Sequence, residues 1–193
     1  RNFAQIVLDK SSELMDEECR KYQGYVIEAT NKLSEQIEGL LQFSRVGSKL
    51  INFMEIDLQK MVLYAIDEAK HQYPMRTCQF HINQHLPTIK ADHVLLEQVF
   101  ANLFSNALKY SSKMPESNVW LNYVDTGDCH QFEVKDNGVG FDMKYAPKLF
   151  NMFSRLHSES EFEGNGIGLV NVKKIIERHE GKVWVNSELG KGT

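Results

Sequence analysis

The sequence predicts a mixed α+β protein in which a helical hairpin is followed by a two-layer α/β sandwich, with one mixed sheet and helices on one face. Two observations predict this order. Apolar residues recur every three or four positions at the start of the chain, whereas helical patterns and alternating strand patterns are interspersed over the remainder. The length of 193 residues and the ordinary apolar fraction are those of a globular protein.

The first part of the chain predicts two helices. From Asp16 one face carries apolar or small residues at spacings of three and four, which is the seam of a long helix packed on another helix. The seam consists of Tyr22, Val26, Ala29, Leu33, Ile37 and Leu40. Residues 1–14 have comparable spacing and are interpreted as the end of the partner helix. Such a hairpin buries its stripe poorly alone, which favours a four-helix bundle formed by two chains; the alternative is that both helices fold back onto the rest of the chain.

The rest of the chain, from Gly47 onwards, predicts helices and strands interspersed with one another. Gly47 and Ser48 interrupt the helical pattern, so we divide the chain into residues 1–46 and 47–193. Asp57 and Asp92 are each expected to N-cap a helix. Alternation predicts strands over residues 78–82, 118–124, 130–136 and 182–188, and a last helix runs from the glycine-rich turn to near Gly181.

Composition excludes several classes of function. The formal net charge of −4 gives no general electrostatic attraction to nucleic acid, which proteins normally bind through a basic face. Cys19, Cys78 and Cys129 are too few and too scattered for a disulfide framework or a zinc cluster, which favours a reducing compartment and hence the cytoplasm. No apolar run approaches the roughly 20 residues that span a bilayer, so we expect no membrane span in this segment.

Four segments carry candidate chemistry. The helix after Asp92 places Asn102 and Asn106 on one face, with Lys109 and Tyr110 one turn further. An amide oxygen can complete the coordination shell of magnesium, and a lysine can neutralise a phosphate. The alternative for this segment alone is a solvated helix face.

The second segment is the turn that follows a strand at Asp136, where Gly138 and Gly140 bend the chain. A carboxylate there can accept a hydrogen bond from the exocyclic amine of adenine, whereas the oxygen of guanine would be repelled. The alternative for this segment alone is an ordinary hairpin.

The other two segments are a loop and a glycine turn. Phe150 and Phe153 could anchor a mobile loop that carries Arg155, which could reach a terminal phosphate. The turn "GNGIG" then opens the last helix, and its exposed amides favour an anion.

Taken in this order, the segments resemble the asparagine, first glycine, phenylalanine and second glycine boxes of sensor histidine kinases, whose ATP-binding fold is shared with gyrase and heat-shock protein 90. The hairpin resembles the dimerisation and histidine-phosphotransfer domain of these kinases. The segments "FSRLHS" and "VKKIIERHEGKVWVNSELGKGT" look most like the phytochrome-like subgroup. The resemblance covers the whole chain.

The resemblance implies a set of roles. Asn106 would bind magnesium, Asn102 and Lys109 would contact phosphates, Tyr110 would lie against adenine, Asp136 would accept from its amine, and Arg155 would approach the γ-phosphate. The remaining cofactor-binding residues it implies are Gly138, Gly140, Gly164, Gly166, Gly168, Leu169 and Thr193. The cofactors would be ATP and Mg²⁺. The partners would be a second copy of the chain and the receiver domain of a response regulator.

Two departures bear on activity. Hydrolysing relatives place a glutamate general base four residues before the magnesium asparagine, where this chain has Asn102, so transfer to a protein nucleophile is expected rather than hydrolysis. By the resemblance the phosphoacceptor histidine lies upstream of Arg1, so we expect the chain to be a portion of a larger sensor kinase. The alternatives are an ATP-binding dimeric signalling module without kinase activity and an ATP-driven clamp of the gyrase type.

Overall fold

The computed structural model describes residues 16–48, 50–74, 76–82, 84–158, 161–162, 164 and 166–193. Backbone contacts divide the chain into two compact units, residues 1–44 and residues 45–193, which are described separately. The predicted first helix, over residues 1–14, lies outside the described residues. No helix in the described ranges is long and apolar enough to cross a bilayer.

The first unit contains most of the long helix α1, Glu17–Ser48. Asp16 caps it, since its Oδ1 accepts a hydrogen bond of 2.7 Å from the backbone N–H of Cys19. α1 continues through Gly47 and ends at Ser48, so the predicted interruption falls in the last turn of the helix. The large apolar residues of the seam are between 49% and 58% exposed, so α1 carries an uncovered apolar stripe: Tyr22, Val26, Leu33, Ile37 and Leu40.

The strands of the second unit form two sheets. They are β1 (Phe53–Asp57), β2 (Cys78–Ile82), β3 (Thr88–Asp92), β4 (Ser117–Asp125) and β5 (His130–Asp136). β1 and β3 pair antiparallel, while β2, β4 and β5 form a mixed sheet in that order, parallel between β2 and β4 and antiparallel between β4 and β5. The sequence predicted a single mixed sheet, and it did not predict the strands β1 and β3. Each of these strands is five residues long and leads directly into a helix, which leaves little alternation to recognise.

Three helices build the core with these sheets: α2 (Leu58–Gln72), α3 (His93–Tyr110) and, after a 3₁₀ turn at Met143–Tyr145 and the short α4 (Ala146–Leu149), α5 (Gly168–Arg178). The two predicted caps are confirmed. The carboxylate of Asp57 accepts a hydrogen bond from the backbone N–H of Lys60, and that of Asp92 accepts one from the backbone N–H of Leu95. Val119 and Leu121 of β4 are buried in the core beneath α3, so the helices cover that face of the sheet.

The end of the chain differs from the expectation. Residues 182–187 are not a strand, and Glu188 forms only an isolated antiparallel bridge with Gly192. A strand requires a neighbour to accept its ladder of hydrogen bonds, and no described strand pairs with this segment. Its apolar alternation therefore predicted the wrong element.

Candidate functional site

The last turns of α3 lie against the beginning of α5. A Cβ atom placed on Gly168 would stand 3.1 Å from Asn102 Oδ1 and 3.9 Å from Asn106 Nδ2. The missing side chain at Gly168 therefore allows the backbone of α5 to approach both amides. The predicted amide pair is half-buried against a helix N-terminus, and so it does not form a solvated helix face. Leu169 follows in the same first turn of α5.

Two cations lie beside this junction. Lys109 Nζ is 4.5 Å from the centroid of the Tyr110 ring and 3.2 Å from where a Cβ on Gly164 would stand. Burial and, to a smaller extent, the positive charge of Arg155 together lower the pKa of Lys109 from 10.5 to about 8. The Arg155 guanidinium donates a hydrogen bond to the carbonyl of Phe162. Two positive charges held close together in a half-buried site favour an anion between them.

The acidic residue, Asp136, lies near Tyr110 at the C-terminal end of α3, whereas Gly168 contacts Asn102 in the middle of that helix. Asp136 ends β5, is only 8% exposed, and accepts a 2.7 Å hydrogen bond at Oδ1 from the backbone N–H of Gly138. Burial raises the pKa of Asp136 to about 6, although hydrogen bonds from the backbones of Gly138 and Thr193 oppose that shift. A buried carboxyl poised in this way is typical of a binding site rather than of an exposed hairpin turn.

Close backbone packing joins the Asp136 turn to α3. The N–H of Val139 donates to the carbonyl of Tyr110 over 3.1 Å, and a Cβ on Gly138 would stand 2.6 Å from that same oxygen. Tyr110 is thus fixed next to Asp136 by its backbone. Gly138 has to be a glycine because a side chain there would collide with the end of α3.

The C-terminal residues close the far side of this turn. Gly140 has a φ of +56°, and a side chain there would overlap the carbonyl of Glu188. The Asp136 N–H donates to the Thr193 carbonyl over 2.8 Å, while the Thr193 hydroxyl lies 2.9 Å from that of Ser187. The Thr193 carbonyl therefore holds the backbone of Asp136 in place through this hydrogen bond.

The loop before α5 is anchored differently from the prediction. Phe150 is half-buried, with Lys173 Nζ 5.9 Å from the centroid of its ring. Phe153 is 42% exposed and has a positive φ, whereas Phe162 is buried. The Phe162 and His157 rings pack on Tyr110, at centroid distances of 5.1 and 5.6 Å. Glu161 adds an ion pair of 2.9 Å with Lys113. Sequence reasoning missed Phe162 and His157 because a single aromatic in a polar run has no periodicity to identify it. Gly166, with a φ of +70°, completes the loop, since a Cβ there would stand 2.8 Å from the Ser154 carbonyl.

Comparisons with known proteins identify the family of this chain. The family described as histidine kinase-, DNA gyrase B- and HSP90-like ATPases matches residues 91–193. The chain is 30% identical over 193 residues to the phytochrome-like protein Cph1 of a Synechocystis species, covering 100% of this chain and 25% of that protein. It is 33% identical over 196 residues to cyanobacterial phytochrome B of a Nostoc species, covering 100% of this chain and 26% of that protein. The chain thus spans about a quarter of the length of these relatives.

A solved structure shares the fold. Full-length ShkA in complex with AMPPNP superposes with a TM-score of 0.68 at 23% identity, over 98% of this chain and 40% of that one. The family match covers more than half of the chain and includes α3, the Asp136 turn and the glycine turn, where the structure brings the candidate residues together. This chain therefore belongs to the family of histidine kinase-, DNA gyrase B- and HSP90-like ATPases.

Proposed function

We propose that the chain is the core of a two-component sensor histidine kinase. Residues 47–193 would be the catalytic domain that binds Mg-ATP, and residues 1–46 would belong to a hairpin for dimerisation and phosphotransfer. The observation that carries this proposal is the approach of Gly168 to the amides of Asn102 and Asn106, together with the buried carboxyl of Asp136 beside the C-terminal end of α3. α3 and the Asp136 turn that packs on its last residue thus present groups suited to both ends of a nucleotide.

Asp136 would recognise the base. A carboxylate accepts hydrogen bonds only, so it suits the exocyclic amine of adenine and repels the carbonyl oxygen of guanine. The Tyr110 ring would lie against the adenine, because its backbone is fixed beside the Asp136 turn. Gly138 and Gly140 would let the chain pass close to the base, since side chains there would collide with neighbouring backbone.

The triphosphate would lie between α3 and the glycine turn. Lys109 and Arg155 supply positive charge, and the backbone at Gly164, Gly166 and Gly168 leads into the N-terminus of α5, whose dipole favours anions. The donor set fits magnesium, because Asn106 supplies a neutral amide and magnesium otherwise keeps waters and phosphate oxygens. When bound, the metal would offset charge on the transferring group.

The residue at position 102 would determine whether the γ-phosphoryl group is transferred to water or to a protein nucleophile. Its amide cannot take a proton from water, so the site lacks the general base that hydrolysis needs at this position. A neutral imidazole needs no such base to act as a nucleophile. We therefore assign transfer of the γ-phosphoryl group to a histidine upstream of Arg1, followed by transfer to an aspartate of a response regulator in the cytoplasm.

The exposed stripe of α1 supports dimerisation. An apolar seam at heptad-like spacing is stabilised when a second helical pair covers it, as in a four-helix bundle. We propose a homodimer formed through this stripe.

The second candidate function is a dimeric module that binds ATP without chemistry. The deciding experiment uses the full-length protein with γ-labelled ATP and Mg²⁺. We expect a label on the protein that acid removes and base does not, as a phosphohistidine requires. The label should vanish in Asn106→Ala and in a variant of the upstream histidine. Binding of ATP without any protein-bound label would support the module instead.

A further inference from the structure

Asn171 on α5 is a buried polar residue that the nucleotide site described above does not use. It is 2% exposed, and among the described residues its Oδ1 has no hydrogen-bond partner. A buried amide oxygen without a partner is costly and uncommon, so it calls for an explanation.

Helix geometry places Asn171 near the amide pair of the site. Gly168, Asn171 and Ile175 follow one another at spacings of three and four and so lie on one face of α5. Gly168 faces Asn102, and Ile175 is fully buried in the core.

The two helices run in opposite directions. At the far end of the α3–α5 seam, the N–H of Asp92 donates to His179 Nε2 over 3.0 Å, whereas Gly168 meets the last turns of α3. Asn171 therefore lies one turn deeper in the seam than the Gly168–Asn102 contact. Helical side chains lean towards the N-terminus of their helix, a direction that would bring its carboxamide towards Gly168 and the Asn102 amide.

We propose that Asn171 is a positioning residue that fixes the amide of Asn102 through one buried water. The water would donate to Asn171 Oδ1 and accept from Asn102 Nδ2. Asn102 Oδ1 is turned towards Gly168, which leaves Nδ2 on the other side of the same amide. A buried water needs two to four polar partners, and Gln98, one turn earlier on α3 and half-buried, offers a third.

This inference rests on the proposed function, because it gives Asn171 the task of holding a nucleotide-binding amide in one orientation. Its consequence is energetic coupling between the two asparagines. A residue that acts only through Asn102 has no effect on nucleotide affinity once Asn102 is truncated.

The test is a double-mutant cycle on the chain, read by titration with Mg-AMPPNP and by thermal melting. Asn171→Leu keeps the size of the side chain and removes its polar group. We expect the nucleotide-free variant to melt no lower than wild type, but to bind about fivefold more weakly, and we expect less than about twofold loss when the same change is made in Asn102→Ala. Asn171→Ala serves as a second variant with the same expected coupling.

Val172→Ala is the matched control for α5, because Val172 is buried in the core next to Asn171. It should lower the melting temperature and leave nucleotide affinity unchanged. Equal losses for Asn171→Leu in both backgrounds, or no loss in either, would overturn the role of Asn171. Absence of binding by the wild-type chain would instead overturn the proposed function.

Discussion

Replacing Asp136 by asparagine should have opposite effects on stability and on nucleotide binding. The carboxyl is buried and its pKa is raised from 3.8 to about 6, a shift of about two units. Each unit corresponds to about 1.4 kcal/mol, so burial of the charged form costs the nucleotide-free protein up to about 3 kcal/mol. Asparagine has nearly the same shape and carries no charge, so it can still accept from Gly138.

The size of the stability effect depends on pH. The folded state holds the proton more tightly than the unfolded chain, so the cost is absent below pH 3.8, develops as the pH rises towards 6, and is complete above it. We therefore expect Asp136→Asn to raise the melting temperature by several degrees at pH 8 and by about a third as much at pH 4.5.

Nucleotide binding should change in the other direction. If Asp136 has its proposed role, the variant would exchange a charge-assisted hydrogen bond to the adenine amine for a neutral one, which should weaken Mg-ATP binding by roughly 1–2 kcal/mol, or about five- to thirtyfold, at pH 8. Wild-type affinity should itself fall about tenfold between pH 7 and pH 5, as Asp136 takes up its proton.

Calorimetric titration and thermal melting on the same samples measure both effects. The phosphates of ATP also titrate in this range, and the variant supplies the correction because it binds the same ligand without a titrating group at position 136. Equal affinities at pH 8, or a wild-type affinity whose pH dependence matches that of the variant, would refute the reasoning.

Three further predictions address other parts of the site. Asn102→Glu should increase phosphate release in a steady-state assay, because it restores a general base for water; an unchanged rate would contradict the assignment. Gly140→Ala should lower the melting temperature much more than Gly127→Ala, since both glycines have positive φ but only Gly140 has backbone in the way, and equal losses would count against the clash. Phe162→Ala should speed proteolytic cleavage of the loop before α5, whereas Phe153→Ala, at an exposed position, should not; similar rates would show that Phe162 is no anchor.

The elements that local sequence could identify were those with long patterns or a chemical cap. α3 is eighteen residues long and begins at a capping aspartate, and both features can be read without knowledge of the fold. β1 and β3 were missed because they are short and exist through pairing with each other. The predicted strand over 182–188 failed for the converse reason, since alternation describes a side-chain pattern and cannot supply a pairing partner.

In the candidate site, too, some features could be predicted from local sequence and others depend on distant segments. Spacing placed Asn102 and Asn106 on one helix face, and a turn placed Asp136 at a strand end, so both could be identified locally. The burial of Asp136 and the packing of Phe162 on Tyr110 depend on segments far apart in the chain. No local pattern specifies them, and they determine the pKa of the acid and the position of the loop.

Asp136 and Lys109 together predict how protons move when nucleotide binds. In the proposed site, binding would favour the charged form of each, because Asp136 would accept from the base amine and Lys109 would face phosphate. Asp136 should therefore release a proton near pH 6, where its pKa lies, and Lys109 should take one up near pH 8. Titration with Mg-ATP in buffers of different ionisation enthalpy should show release of up to about half a proton at pH 6 and uptake of about half at pH 8. Asp136→Asn should abolish only the release and Lys109→Met only the uptake. Net exchange of the same sign at both pH values would contradict the assignment of these two groups to opposite ends of the nucleotide.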